Sequence, residues 1–569
     1  MSYSADNPWI KEREATVCTW KADYNRGFIS NMSVSLLTDF ITFSDRQLAE
    51  YVKMMKACGF TGIQVTDICA AWRASGSWEF VHDRYKVLAN ELHKNGMKFT
   101  VWCWAAEFTG HGWHDEDVVY SSADGATPAY DDPRVFASFN KYYDIYADLA
   151  PYADRVIAHF FDPGNLSDMY SILKFTRLLA DKFRALNPDV KVAIDTWGAP
   201  ENYPEELVKA GMSDIMLMEL PSGWGADGKR ARFREGVKKL GCELGAWGWY
   251  TCEYEIDQMP LMFVNNRVLA DVYRRVRDQG DHVMIPSYWS EMDSYHLLNF
   301  FSLYAAGHLL IDPERDPDEL LYESAALIAG DESADTLCEI LSLIRDARSG
   351  DTWNSYWWWE NGYILKHGDY SEILPRAERC ISLLKELIET DEPEGGITFP
   401  LKRRQLYRLM LPHLHQIRQF ADFSVKFAAV CKKKNAGADP DELQKAVDAL
   451  PFEVPEYNCV IGLWGQTEAR VAYGKLTAFC RENGLNLSCS GTMKYVLKRR
   501  LYDFLCVLQR GIAGQNFHAP TFYEGGLALD KDLNMRLIDE MVAEGIIVRR
   551  EDGRVALTNW ENFRFDFNI

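Results

Sequence analysis

The chain has 569 residues, 47% of them hydrophobic and 25% charged, and a formal net charge of -21. That balance fits a folded chain with room for two or three domains rather than a disordered one. Its acidity argues against nucleic acid and anionic membranes as partners, because both call for a basic face.

The opening MSYSADNPWIKERE lacks the basic and apolar segments of a secretory signal. No apolar run reaches the length of a membrane span. The 13 cysteines are scattered, odd in number and without a CxxC pair, so reduced thiols and a cytoplasmic location are expected.

Residues 1–27 read as an N-terminal segment, and residues 28–312 as one repeating pattern of short β-branched or aromatic runs followed by helical ones. The first strand is expected at MSVSLLTDF (32–40), followed by a helix that Ser44 would cap and Gly59 would end. Next come TGIQVTDI and KFTVWCWAAEF, then RVIAHFFDPGN, each with a helical pattern behind it. The series continues through VKVAIDTWG, SDIMLMELPSG and CELGAWGWY to DHVMIPSYW. Eight strand-helix units in this length fit a (β/α)8 barrel. A doubly wound sheet is the alternative, but no GxGxxG follows the first strand.

From about 313 to 569 the pattern is mainly helical, with breaks at DEPEGGITFP and KNAGADPDE. Near the C-terminus a helix and a hairpin turning at Asp552 and Gly553 can read as a winged helix or as a small β-appendage. The acidic balance favours the appendage. The amphipathic helical surface could also carry a homodimer.

Active sites of such barrels lie at the C-terminal ends of the strands. The carboxylates expected there are Asp39, Asp67, Glu107, Asp162, Asp195, Glu219, Glu253, Glu255 and Glu291. Trp102, Trp104, Trp197, Trp224, Trp247, Trp249, Tyr250 and Trp289 stand at the same level. An acid-rich, tryptophan-lined mouth suits glycosidic bond cleavage, which needs one carboxyl group to protonate the leaving oxygen and a second as nucleophile or base. For any single Trp, a place in the core is the first reading.

Asp162 is the candidate acid. It follows the apolar HFF, which could raise its pKa, and Pro163 and Gly164 turn the chain away behind it. It can also be read as a turn residue. Glu219, in IMLMELPSG, has the same form and is the candidate nucleophile or base, with Glu253 and Glu255 as rivals. Substrate contacts are expected from Asp67, Trp104, Glu107, Asp195, Trp197, Trp249, Glu255, Trp289 and Glu291. Glu291 could instead belong to the first turn of the following helix.

His111, His114 and Asp115 could form a metal site, although surface histidines account for them more simply. No P-loop, GxSxG, iron-sulfur or flavin fingerprint occurs, so no cofactor is expected. The run WNSYWWWENGY (353–363) reads either as an aromatic seam between barrel and helices or as a sugar subsite.

The segment SYHLLNFFSLYAAGHLLIDPERDPDELLYESAALIAG resembles one found in barrel glycoside hydrolases related to α-glucuronidases and hexosaminidases. Asp312, Pro313, Asp316, Pro317, Asp318 and Glu319 carry that resemblance, together with RALNPDVKVAIDTWG and LGAWGWY. It spans about 28–345 and implies a general acid at the fourth strand, where Asp162 stands. Hexosaminidases place two adjacent acids there, whereas Pro163 follows Asp162 here. That departure sets substrate-assisted hydrolysis through an acetamido group in question.

The expected function is an exo-acting glycoside hydrolase on small oligosaccharides or glycosides. A metal-dependent barrel hydrolase or isomerase, and a non-enzymatic carbohydrate-binding protein, are the alternatives.

Overall fold

A computed structural model of the chain describes residues 3–18, 43–67, 78–104, 131–159, 169–196, 199–220, 231–251, 262, 264–279, 284–293, 297–348, 370–390, 402–450, 475–476, 478–486, 517–518, 531–545, 547–549 and 554–557. Eight parallel strands close into a barrel in sequence order. They are β1 (Glu12–Cys18), β2 (Gly62–Asp67), β3 (Lys98–Trp104), β4 (Arg155–His159), β5 (Lys191–Asp195), β6 (Met216–Glu219), β7 (Leu244–Thr251) and β8 (Tyr288–Asp293). Outside them lie α1 (Asp45–Ala57), α2 (Trp78–Lys94), α3 (Pro133–Ala147), α4 (Met169–Leu186), α5 (Tyr203–Lys209), α6 (Ala231–Leu240), α7 (Asn266–Gln279) and α8 (Phe300–Ile311). The chain is therefore a (β/α)8 barrel followed by a mainly helical region.

That region holds α9 (Pro317–Ala329), α10 (Asp331–Arg348), α11 (Ile373–Glu389), α12 (Arg403–Asn435) and α13 (Pro440–Asp448). Further on, α14 (Lys531–Ala543) precedes β10 (Ile547–Arg549) and β11 (Arg554–Leu557), and β11 also pairs antiparallel with β9 (Phe517–His518).

The first strand corrects the expectation. It lies at Glu12–Cys18, ahead of the expected start of the barrel at 28, and pairs with both β2 and β8. The run 32–40 lies outside the described residues. EREATVC hides its strand character because its lumen-facing positions Glu12, Glu14 and Thr16 are polar. They meet partners across the barrel: the Tyr288 hydroxyl donates to Glu14 at 2.7 Å, Arg155 donates to Glu12 at 2.6 Å, and Thr16 bonds Ser290. Lys191 reaches Glu12 at 2.8 Å, and the Arg155 guanidinium lies over the Tyr288 ring at 4.0 Å.

Local chemistry explains the helices. Ser44 caps α1 in a capping box with Gln47, the two backbone N–H groups satisfied reciprocally. Asp316 caps α9 through the Asp318 N–H at 2.8 Å, with Pro317 in the first turn. Asp318 then pairs with Arg267 of α7 at 2.6 Å and with Arg345 of α10 at 2.9 Å. The DPDE segment thus joins barrel and helical region.

Helix α8 crosses the end of α1 at backbone contact. A Cβ on Gly307 would stand 1.9 Å from the Cys58 carbonyl oxygen, which cannot rotate away as a side chain would. Gly307→Ala is expected to destabilise by about 1–3 kcal/mol or more, read as a lower urea midpoint at unchanged slope.

Ion pairs give the fold an acid limit. The His82 side chain, followed by Lys86 at 2.7 Å, holds Asp148 down at about 2 against its burial. Burial pushes Glu12 up, but Arg155 and Lys191 outweigh it and leave that carboxyl low. A carboxyl lowered in the folded state adds stability above its unfolded pKa and loses it as pH falls through the folded value. The midpoint should therefore drop between about pH 4 and pH 2. Asp148→Asn should shrink that drop. Glu14, raised chiefly by burial against the pull of Arg155, titrates in the opposite sense.

Candidate active site at the barrel mouth

Parallel strands in register present matching residues to the same face, so one fixed strand assigns its neighbours. On β8, Tyr288 and Ser290 point inward, as their bonds to Glu14 and Thr16 require. Carrying the register around places His159, Asp195, Met218 and Trp247 on the lumen side toward the C-terminal end.

There the structure builds a cluster. His159 ends β4 and Asp195 ends β5, with Nδ1 and Oδ2 3.3 Å apart and both residues fully buried. Trp102 meets the His159 ring edge to face, centroids 4.9 Å apart at 86°. Trp247 lies 4.9 Å from Trp102 and 5.4 Å from His159. The Tyr203 phenol at the start of α5 is held well above its usual pKa, by burial first and by the Asp195 charge second.

Glu219 ends β6, next to β5, and is buried. Asp195 pairs in register with Met218, so the two carboxylates stand one residue apart on adjacent strands. Thr196 Oγ1 lies 2.6 Å from the Met218 carbonyl oxygen and 3.1 Å from Glu219 Oε2. Its single proton is shared between two acceptors, and the contact fixes the Glu219 carboxylate against β5. Glu219 pairs with Ala246, which pairs in turn with Trp289, so at the end of β6 its position belongs to the outer face rather than to the lumen face of Met218.

Trp289 and Glu291 require a correction. β8 begins later than expected, and Glu291 lies within the strand rather than in the next helix. Alternation with Tyr288 and Ser290 turns both residues outward. Glu291 Oε2 accepts from the Tyr273 hydroxyl of α7 at 2.6 Å and from Trp289 Nε1 at 2.9 Å. A Cβ on Gly248 would meet that carboxylate oxygen at 1.9 Å. Both residues are fully buried between barrel and helices.

Asp67 closes β2, Trp104 closes β3 opposite His159, and Trp249 falls in the irregular part of β7 between Gly248 and Thr251. Asp162, Glu253, Glu255, Glu107, Trp197, the group His111, His114 and Asp115, and the run 353–363 lie outside the described residues. Among the described residues no cluster of three or more His, Cys, Asp or Glu is placed to hold a metal, and no helix is long and apolar enough to cross a membrane.

A cavity of 290 Å³ opens at the opposite end of the barrel, among Arg155, Arg184, Lys191, Asp214 and Glu243. Its charges are already committed, Arg184 to Asp214 at 2.6 Å and Arg155 and Lys191 to Glu12. At the N-terminal face of a barrel such a network serves stability.

His159 and Tyr203 were not among the expected site residues. The signal for His159 was available: Arg155, Ile157 and His159 share one face of β4, so the last of them must look into the mouth.

No protein family model matches the chain, and no curated protein does. Among solved structures it is similar to a GH138 enzyme targeting pectin rhamnogalacturonan II, with 10% identity and a TM-score of 0.49 over 90% of this chain and 69% of that one. It is similar to a family 89 glycoside hydrolase from Clostridium perfringens, with 12% identity and a TM-score of 0.46 over 95% and 69%. The PgaB (BpsB) glycoside hydrolase domain from Bordetella bronchiseptica matches at 12% identity and a TM-score of 0.32 over 53% and 98%.

Proposed function

We propose that the chain is a glycoside hydrolase, exo-acting on small oligosaccharides or glycosides. Asp162 is the acid in this reading, and Glu219 the nucleophile or base, with Glu253 as its rival. One observation carries it: Asp195 and Glu219, two buried carboxylates, end adjacent strands at the C-terminal end of a closed barrel. Carboxyl groups gathered at the strand ends can supply the acid and the nucleophile or base of glycosidic cleavage, and Asp195 is the substrate contact of this set.

The described cysteines, among them buried Cys58, Cys103 and Cys242, are free thiols, which suits the proposed cytoplasmic location. A homodimer belongs to the same proposal.

The test is a screen of nitrophenyl glycosides against the wild type and Asp162→Asn in parallel. Release from one sugar by the wild type alone supports both the activity and the acid. Full turnover by Asp162→Asn removes that acid assignment, and silence of the wild type across the panel removes the glycosidase.

A further inference from the structure

We propose that His159 is a positioning residue of the mouth, holding the Asp195 carboxylate in one orientation to receive a sugar hydroxyl. The inference rests on the glycoside hydrolase reading. Asp195 is fully buried, and a carboxylate removed from water needs donors to remain charged and fixed. His159 Nδ1 stands 3.3 Å from Oδ2, an ion-pair distance once the imidazole carries its proton.

The imidazole itself is confined. Trp102 packs on it edge to face and Trp247 lies 5.4 Å away. The backbones beneath are locked by the pairing of Ala158 with Ile194. A core layer has no need of this pair, since Ile157, Ala193 and Met218 fill neighbouring lumen positions with apolar groups. Apolar substitutes for a buried ion pair are often at least as stable. The polar pair sits at the strand ends, where a barrel places its chemistry.

The experiment uses the full chain and the glycoside that the wild type cleaves. His159→Phe keeps a ring between the tryptophans but removes the donor, whereas His159→Asn keeps an N–H near the position of Nδ1. His159→Phe and Asp195→Asn should each lose roughly 10- to 100-fold in kcat/KM, the scale of one hydrogen bond to a charged group. His159→Asn should remain close to the wild type. The double variant should be no worse than the poorer single one, because both remove the same interaction.

A His159→Phe enzyme as active as the wild type, or losses that multiply in the double variant, would overturn the proposal. So would losses that only track the fraction of unfolded protein. If His159→Phe does not fold, the Asn variants and a spectrum decide. In nitrogen-15 spectra of histidine-labelled wild type, with the His159 signal identified by its loss in His159→Asn, Nδ1 should carry a proton. A bare Nδ1 overturns the pairing whether or not any glycoside is cleaved, while an inactive wild type with a protonated Nδ1 counts against the glycosidase reading alone.

Discussion

Arg155→Met should destabilise the protein by about 3–5 kcal/mol, the usual range for breaking one side of a buried ion pair. Arg155 is 3% exposed. It reaches Glu12 at 2.6 Å and Glu14 at 3.6 Å, and it covers the Tyr288 ring. Methionine fills much of the volume but leaves Glu14, itself fully buried, without its cation. The prediction has an internal control. Adding Glu14→Gln should restore part of the loss, because the uncompensated carboxylate is then gone. Urea unfolding of the wild type, the single variant and the double variant checks it, and equal midpoints for all three would show that the pair contributes nothing.

For activity, the largest effects are expected at the proposed carboxyl pair. Asp162→Asn and Glu219→Gln should each lower kcat by roughly 10²- to 10⁴-fold, the contribution of a positioned acid or base. Their pH profiles separate the roles. Loss of the acid should remove the alkaline limb of the kcat/KM bell, and loss of the base or nucleophile the acidic limb. Glu219→Gln has a second expected signature. The amide can still accept from Thr196, so the melting temperature should move little while turnover falls. A variant that unfolds without losing specific activity would make Glu219 a structural group, and Glu253 would take its place as candidate.

Seven of the eight barrel strands are legible in the sequence, because each contains or adjoins an apolar run with a helical pattern behind it, although β8 begins later than its run suggests. β1 is not. The floor of this lumen is ionic, so Glu12 and Glu14 make a buried strand look like a solvated leader, while MSVSLLTDF shows a better apolar pattern. The same two-residue period that identifies strands also decides which way a carboxylate points. A slip of one residue exchanges lumen for shell, as Glu291 illustrates. Asp195 and Glu219 were legible because each ends an apolar run. His159 was read as the preface to Asp162, and its partner lies 36 positions on, where only the pairing of β4 with β5 brings them together.

The seam between β1 and β8 has a consequence for how the chain assembles. Bonds such as Tyr288 to Glu14 join residues 274 positions apart, so the ring cannot shut until the last strand has been made. A loop of that length adds little extra closing entropy for each further residue, but it delays closure, and both open edges stay available to wrong partners in the meantime. During refolding, Tyr288 should lose its exposure late, after the middle strands are protected. Variants of Glu14 or Thr16 should accordingly speed unfolding more than they slow folding.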